Sequence, residues 1–332
     1  MMRWGILGTA RINRRIIPAI RRSRRSELLA VASRNRERAQ VYASEWSIPR
    51  ALAGYQTLLD DSSVDAVHIP LPNSDHVPWT LAAIAAGKHV LCEKPLALDP
   101  ADVDRIAAAA AAAHIVVEEG FMYRHEPMTA RVVELIGSGA IGAVRAIVSG
   151  FTFALGVNEP NGALAPGARN IRMNPALGGG SLWDVGGYPV TYTQLIAGGH
   201  EPQMVFGTAR SSTSGVDEEF MGILRFEEGL TANVYAGFRA AYRTWLEVLG
   251  SDGGLTVPNP FKPGPHETLE LERNGKIEHI VVPGSPEIFD QEIADFEAAV
   301  LDGAPQIVTL AESRRTAATL SALLASAGAG IS

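Results

Sequence analysis

Over the first third of the chain, short apolar runs alternate with longer amphipathic stretches. The runs 2–8, 28–33, 65–70, 88–92 and 115–119 have the unbroken apolar character of strands covered on both faces. Between them, 11–22, 36–46, 75–86 and 99–113 carry apolar residues at helical spacing. Strands of about five residues alternating with helices of about ten to fifteen predict a parallel sheet with helical crossovers, a doubly wound α/β architecture.

The pattern changes after residue 122. One helix is predicted over 126–137, and then 143–155, 203–212, 218–237, 241–249 and 267–282 alternate with a period of two. Turn signals separate or split them: Glu228-Gly229, Asp252-Gly253-Gly254 and Asn274-Gly275. These stretches predict an α+β domain built on a large, mostly antiparallel open sheet. Segments 286–303 and 309–328 read as helices, the last expected to pack back on the first domain. Residues 156–180, rich in Gly, Pro, Asn and Ala, predict a long loop near a site. The expected domains are 1–122, binding a dinucleotide, and 123–332, binding substrate and a second copy of the chain.

Bulk composition narrows the function classes. With 46% hydrophobic and 20% charged residues the chain is an ordinary globular protein. A net charge of -7 argues against a nucleic-acid partner, so the arginines at 3, 11, 14, 15, 21, 22, 24 and 25 read as a solvated first helix with some pull on phosphates. Cys92 is the single cysteine, which excludes an intrachain disulfide and fits a reducing, cytoplasmic setting. No signal-peptide pattern precedes the first strand, and no apolar run reaches the ~18 residues of a membrane span. No His/Cys/Asp cluster has metal-ligand spacing, so no metal is expected.

Four segments carry chemistry. Gly8-Thr9-Ala10-Arg11-Ile12-Asn13 lies between a strand and a helix. A pyrophosphate site there needs a tight turn, close backbone approach and a helix N-terminus. Gly8 supplies the turn and Ala10 is small enough for the approach, but Asn13 departs from the glycine fingerprint. At the end of the second strand, Ser33 and Arg34, with Arg38 beyond, replace the carboxylate that would hold the ribose of NAD; Ser and Arg suit a 2′-phosphate, which points to NADP before NAD. Glu93-Lys94-Pro95 follows the fourth strand at the edge where ligands bind. Lys94 is one of only four lysines, beside a proline able to fix the turn as a cis bond. Finally, Gly178-Gly179-Gly180 leads into Ser181-Leu182-Trp183-Asp184-Val185-Gly186-Gly187-Tyr188. Ser181 is a possible helix cap. Asp184 and Tyr188, four apart, would share a helix face as a proton-handling pair.

These segments, with Pro70-Leu71-Pro72-Asn73-Ser74-Asp75-His76 after the third strand, resemble the glucose-fructose oxidoreductase / inositol dehydrogenase / MocA (Gfo/Idh/MocA) family over nearly the whole chain. The resemblance implies that Lys94 touches both nicotinamide ribose and substrate, and that Tyr188 is the proton donor or acceptor. Many members have His at that position. Tyr is found in the NADP-linked xylose dehydrogenase and dihydrodiol dehydrogenase branch. It also implies cofactor contacts from Pro70, Leu71, Asn73, His76, Glu93 and Arg172, and a homo-oligomer, dimer or tetramer, formed through the open sheet. Tyr123, Arg124 and Trp183 are expected to line the substrate pocket.

The expected reaction is hydride transfer between nicotinamide and a carbinol or carbonyl carbon of a sugar or polyol. A free phenol, with a pKa of about 10, is a poor base at neutral pH; a lysine ammonium nearby would lower it. Asp184 would accept hydrogen bonds from substrate hydroxyls. Reduction of a keto-sugar or dicarbonyl, or aldose-aldose exchange, would use the same atoms. A non-catalytic nucleotide sensor would not need Lys94, Asp184 and Tyr188 together.

Overall fold

A computed structural model describes residues 1–155 and 170–328. The chain divides into two compact units, the first Met1–His125 with Glu287–Arg314, the second Glu126–Pro286 with Arg315–Ser332.

The first unit is built on β1 (Met2–Leu7), β2 (Ser26–Ser33), β3 (Arg50–Ala53), β4 (Ala66–Ile69), β5 (His89–Glu93) and β6 (Val117–Gly120). Their order in the sheet is β3-β2-β1-β4-β5-β6, and all pairs are parallel. The reversal between β1 and β4 creates the crevice where doubly wound sheets bind ligands. The crossovers include α1 (Asn13–Arg22), α2 (Arg36–Glu45), α3 (Tyr55–Leu59), α4 (Asn73–Ala85) and α5 (Pro100–Ala113). Ile16, Ile17 and Ile20 form the buried stripe of α1. Asp99 caps α5 by accepting from the Ala101 amide at 2.9 Å, and Pro100 opens it.

The sheet has six strands where sequence reasoning finds five. The additional β3 and α3 are four and five residues long, too short for periodicity to reveal.

Segment 287–314, assigned from sequence to the second domain, clusters with the first unit. The reason lies in α8 (Ile288–Asp302), which buries Ile288, Phe289, Ile293 and Phe296. The Phe296 ring packs on Trp4 of β1 at 5.2 Å, and Glu297 accepts the Ser23 hydroxyl at 2.8 Å. The helix α9 (Leu310–Gly328) begins in the first unit and continues in the second from Arg315.

The second unit opens with α6 (Pro127–Gly137) and holds β7 (Val144–Thr152), α7 (Gly187–Ile196), β8 (Met204–Ser211), β9 (Asp217–Arg225), β10 (Thr231–Gly237), β11 (Arg243–Gly250), β12 (Gly253–Val257), β13 (His266–Arg273) and β14 (Lys276–Pro283). The strand order is β14-β13-β12-β11-β7-β10-β9-β8. Only β7 with β10 is parallel, so the sheet is mostly antiparallel, as the alternating pattern predicts. Gly207 and Gly222 face each other across β8 and β9. A side chain on Gly207 would meet the Leu323 carbonyl oxygen at 2.6 Å and one on Gly222 the Leu323 methyl at 2.8 Å, so the pair lets α9 lie close on the sheet. Of the loop expected over 156–180, the part 156–169 lies outside the described residues; 170–180 forms two short 3-10 turns.

Candidate active site

In the first unit, Gly8 ends β1 with φ +110°, a conformation that favours glycine. A Cβ there would stand 2.9 Å from a Leu71 methyl and 3.7 Å from the Tyr55 hydroxyl. The turn is therefore tight and its backbone stays bare. Helix α1 follows without a side-chain cap, the arrangement that suits a pyrophosphate. Asn13, which breaks the glycine fingerprint, is fully buried, and its Nδ2 donates to the Gly8 carbonyl at 3.0 Å. A helix-to-turn hydrogen bond replaces the close contact a glycine would allow. These features fit a dinucleotide.

At the tip of β2, Ser33 is buried and accepts from the Asn35 amide at 3.3 Å, while Asn35 caps α2 by accepting from the Arg38 amide at 2.9 Å. Arg34 and Arg38 are exposed there. Sequence reasoning misses Tyr55, which opens α3. Burial raises its phenol pKa against the pull of Arg34, and its ring meets Trp79 edge-on at 5.0 Å.

The turns after β4 and β5 are tied together from behind. His76 places Nε2 2.8 Å from the Leu71 carbonyl oxygen and Nδ1 2.7 Å from the Pro95 carbonyl oxygen. It is 1% exposed, so it braces both turns instead of contacting a ligand as the sequence suggests. Burial pulls its pKa down, against the two carbonyls that favour the charged ring. The Lys94–Pro95 peptide is cis. The Leu96 amide donates to the buried Glu119 carboxylate at 2.9 Å. Burial raises the Glu119 pKa, with Lys94 opposing. Glu93 lies 3.4 Å from Nε2 of the buried His68. Lys94 is half-buried at this turn.

Arg124 does not join this set. Its guanidinium donates to Glu312 at 2.8 Å and to the Ile307 carbonyl at 3.3 Å, with 8% of the side chain exposed. Tyr123 is fully buried. The sequence suggests that both line a substrate pocket; the Arg124 guanidinium is held by Glu312 and the Ile307 carbonyl.

In the second unit the three glycines are each required. Gly178 has φ +74°, and Gly180 has φ +120° beside the Asp217 carboxylate. A Cβ on Gly179 would strike the Arg172 carbonyl oxygen at 2.5 Å. Asp217, buried and unnoticed in the sequence, accepts the Ser181 hydroxyl at 2.6 Å and the Leu182 amide at 2.7 Å. Burial raises its pKa against those hydrogen bonds. Ser181 thus makes no cap of its own; Asp217 from β9 holds the start of the helix. Residues Leu182–Gly186 form a π-helical turn before α7, which puts Asp184 in that turn and Tyr188 at the start of α7. Trp183, which the sequence suggests for the substrate pocket, is 6% exposed, close to Tyr188 at 5%.

Asp184 accepts from Arg172 Nε at 2.7 Å, and the Arg172 guanidinium lies 5.7 Å from the Phe153 ring centre. Tyr188 stands in an aromatic nest: its ring is 5.3 Å from Phe151 and 5.4 Å from Phe261, and those two rings stack 5.9 Å apart. Lys262 Nζ lies 5.3 Å from the Phe151 ring and 5.8 Å from the Tyr242 ring. Phe151, Phe261 and Lys262 escape sequence reasoning, because aromatic residues in strands and loops read as core; the scarcity of lysine is the one signal for Lys262.

Comparison with known proteins decides the family. Residues 2–121 match the model of an oxidoreductase family with an NAD-binding Rossmann fold, and residues 129–256 the GFO/IDH/MocA C-terminal domain. The chain belongs to the Gfo/Idh/MocA oxidoreductases. It is 36% identical over 334 residues to D-xylose 1-dehydrogenase (NADP(+)) 2 of Haloferax volcanii, covering 99% of this chain and 98% of that one. It is 35% identical over 286 residues to dTDP-3,4-didehydro-2,6-dideoxy-alpha-D-glucose 3-reductase of Streptomyces violaceoruber, covering 85% and 80%. A 3-ketoreductase of Actinomadura kijaniata, crystallised with NADP and TDP-benzene, superimposes with a TM-score of 0.88 at 32% identity, covering 98% and 97%. This member is an enzyme of the oxidoreductase class. No helix among the described residues is long and apolar enough to cross a membrane.

Proposed function

We propose that this oxidoreductase uses NADP to interconvert a carbinol and a carbonyl on a sugar, with an aldose as the preferred reductant. The observation that carries this reading is end-to-end similarity to an NADP-linked xylose dehydrogenase, joined to Ser33 and Arg34 where an NAD enzyme needs a carboxylate. The 2′-phosphate falls to Ser33, Arg34 and Arg38. Gly8, Thr9, Ala10, Arg11 and Ile12 serve the pyrophosphate, and Pro70, Leu71, Asn73 and Glu93 the rest of the dinucleotide.

Bound nicotinamide supplies hydride transfer, and the chain manages the proton. In oxidation Tyr188 Oη takes the proton of the reacting hydroxyl; in reduction it returns it. The rings of Phe151 and Phe261 hold the Tyr188 phenol in place, and the Lys94 ammonium steadies the charge on the reacting oxygen of the sugar. Asp184, its carboxylate already oriented by Arg172, accepts from a neighbouring sugar hydroxyl. A spectrophotometric screen crossing NADP and NAD with D-xylose, D-glucose, cyclohexanol and propan-2-ol tests the reading. Aldoses should turn over fastest with NADP; equal or better rates with the simple alcohols would remove the sugar assignment.

A second reading has its own support. Lys262 beside Phe151 and Tyr242 adds a cation to the aromatic wall of Tyr188, which suits reduction of a keto-sugar bearing a diphosphate. A dTDP-linked keto-sugar in the same screen separates the two.

The open face of the eight-stranded sheet supports self-association. Phe206, Met221, Ile223, Tyr235 and Trp245 line a shallow cavity of about 330 Å³ there. Phe206, Met221 and Ile223 are exposed, a patch of the kind that marks an interface. We assign it to a second copy of the chain in the cytoplasm. Met221→Glu should shift the mass measured by light scattering to that of a monomer.

A further inference from the structure

The first unit holds an acid that the roles above leave unused. Glu292 lies on α8 one turn before Phe296, with 2% exposure, and its Oε1 has no hydrogen-bond partner. Gly120 shows where that oxygen goes. A Cβ on Gly120 would stand 3.6 Å from Glu292 Oε1, 3.6 Å from Glu93 Cα and 3.3 Å from the Cys92 carbonyl oxygen. The missing side chain leaves a slot across the ends of β5 and β6, and the Glu292 carboxyl group occupies it beside Glu93.

We propose that Glu292 is a positioning residue for the Glu93-Lys94-Pro95 turn, donating a hydrogen bond to the Glu93 carboxylate through the slot over Gly120 by way of one buried water. The proposal rests on the reading of Lys94 as the catalytic ammonium. A buried unpartnered oxygen beside a carboxylate calls for such a partner. The group is able to donate: burial raises its pKa well above the carboxylic range, and Glu93 and Glu118 push it further. The imidazoles nearby serve other groups. His68 faces Glu93 at 3.4 Å; His125 sits 3.4 Å from Glu118 and 2.9 Å from Asp295 on α8. Ionised Glu292 would add a further negative charge to Glu93, Glu118 and Asp295, pushing Glu93 away and loosening the lysine turn.

The test compares Glu292→Gln, which keeps a donor, with Glu292→Leu, which removes it. Three quantities are measured from pH 6 to 9: kcat on an accepted sugar, the NADPH dissociation constant from its fluorescence, and Tm. Losing one hydrogen bond to a charged partner is worth about tenfold or more. Glu292→Leu should therefore lose roughly that in kcat, while Glu292→Gln stays near the unmodified protein. The unmodified protein should also lose more kcat and Tm on the alkaline side than Glu292→Gln does. Normal turnover in Glu292→Leu, or Glu292→Gln as impaired as Glu292→Leu, overturns the proposal. Should Glu292→Leu fail to fold, Glu292→Gln decides alone: alkaline profiles identical to the unmodified protein overturn it. A protein that oxidises no sugar refutes the functional reading instead, and the Tm and NADPH measurements still judge Glu292.

Discussion

The two units support their chemical residues by opposite means. In the first, Lys94 and the turn after β4 are braced by buried ionisable groups: His76 between two carbonyls, Glu119 under Leu96, Glu292 beside Glu93. In the second, Tyr188 is braced by rings, Phe151 and Phe261, and a single carboxylate, Asp217, holds the helix start. Turns after parallel strands leave carbonyls and amides facing inward, which only polar side chains can satisfy. A helix meets its own backbone needs except at its end, so apolar packing is enough elsewhere. The first unit's support should therefore respond to pH, and the second's to the loss of volume or of one cap.

The largest effects are expected at the two groups proposed to react. Tyr188→Phe keeps the ring in its nest and removes only the hydroxyl. Turnover should fall by roughly 10²-fold or more, with Tm and NADPH affinity little changed. Lys94→Ala should fall as far, and its NADPH affinity should weaken as well. Near-normal turnover in Tyr188→Phe would remove the phenol from the mechanism and leave the second unit a purely structural nest.

Next comes the cap. Asp217→Ala leaves the buried Leu182 amide without its acceptor and the Ser181 hydroxyl with only the Ala236 carbonyl at 3.4 Å, at a cost of about 1 to 3 kcal/mol by chemical denaturation. Because the displaced turn carries Asp184, KM for sugar should rise more than kcat falls. A variant as stable as the parent would show that the glycine turn holds itself.

A smaller effect, confined to one cofactor, is expected at the tip of β2. Arg34→Ala should weaken NADP by roughly tenfold, the worth of one charge-assisted contact, and leave NAD nearly unchanged. Equal losses for both would place Arg34 on the pyrophosphate or adenine instead.

The residues proposed to act were more legible in the sequence than the residues that support them. Gly8, Lys94 and Tyr188 stand in short motifs after strands or glycine turns, where spacing alone carries meaning. Alternation predicted the hairpins at Glu228-Gly229 and Asn274-Gly275, and both occur. β3 escaped notice because its residues are only partly buried at a sheet edge, and β12 because it opens on Gly253-Gly254. Glu292 and Asp217 were invisible for a different reason. Each meets its partners from a distant part of the chain, and an acid bound for the interior has the same letter as one on the surface. The π-helical turn at Leu182–Gly186 left no mark either, because its apolar spacing reads as an ordinary α-helix.

The finest contrast between the units is one of slope. Burial raises the pKa of Glu119, so the folded protein favours its neutral form. That preference contributes stability fully below the unfolded value, about pH 4.3, and it is lost as pH rises through the folded pKa. Glu119→Gln has no proton to lose, yet its amide oxygen can still accept from the Leu96 amide. The variant's Tm relative to the parent should therefore rise from pH 5 to pH 8.5. Other groups bend the individual curves. His76 and His89, whose pKa values burial lowers, withdraw stability as pH falls below their unfolded value of about 6.5. Asp61 and Asp65, held low by Ser63 and Arg3, change only in stronger acid. All of these are shared by parent and variant and cancel in the difference, so the Glu119 contribution stands alone. A difference in Tm that stays flat across the range would show that Glu119 is ionised in place, and the first unit would then owe its support to a buried charge.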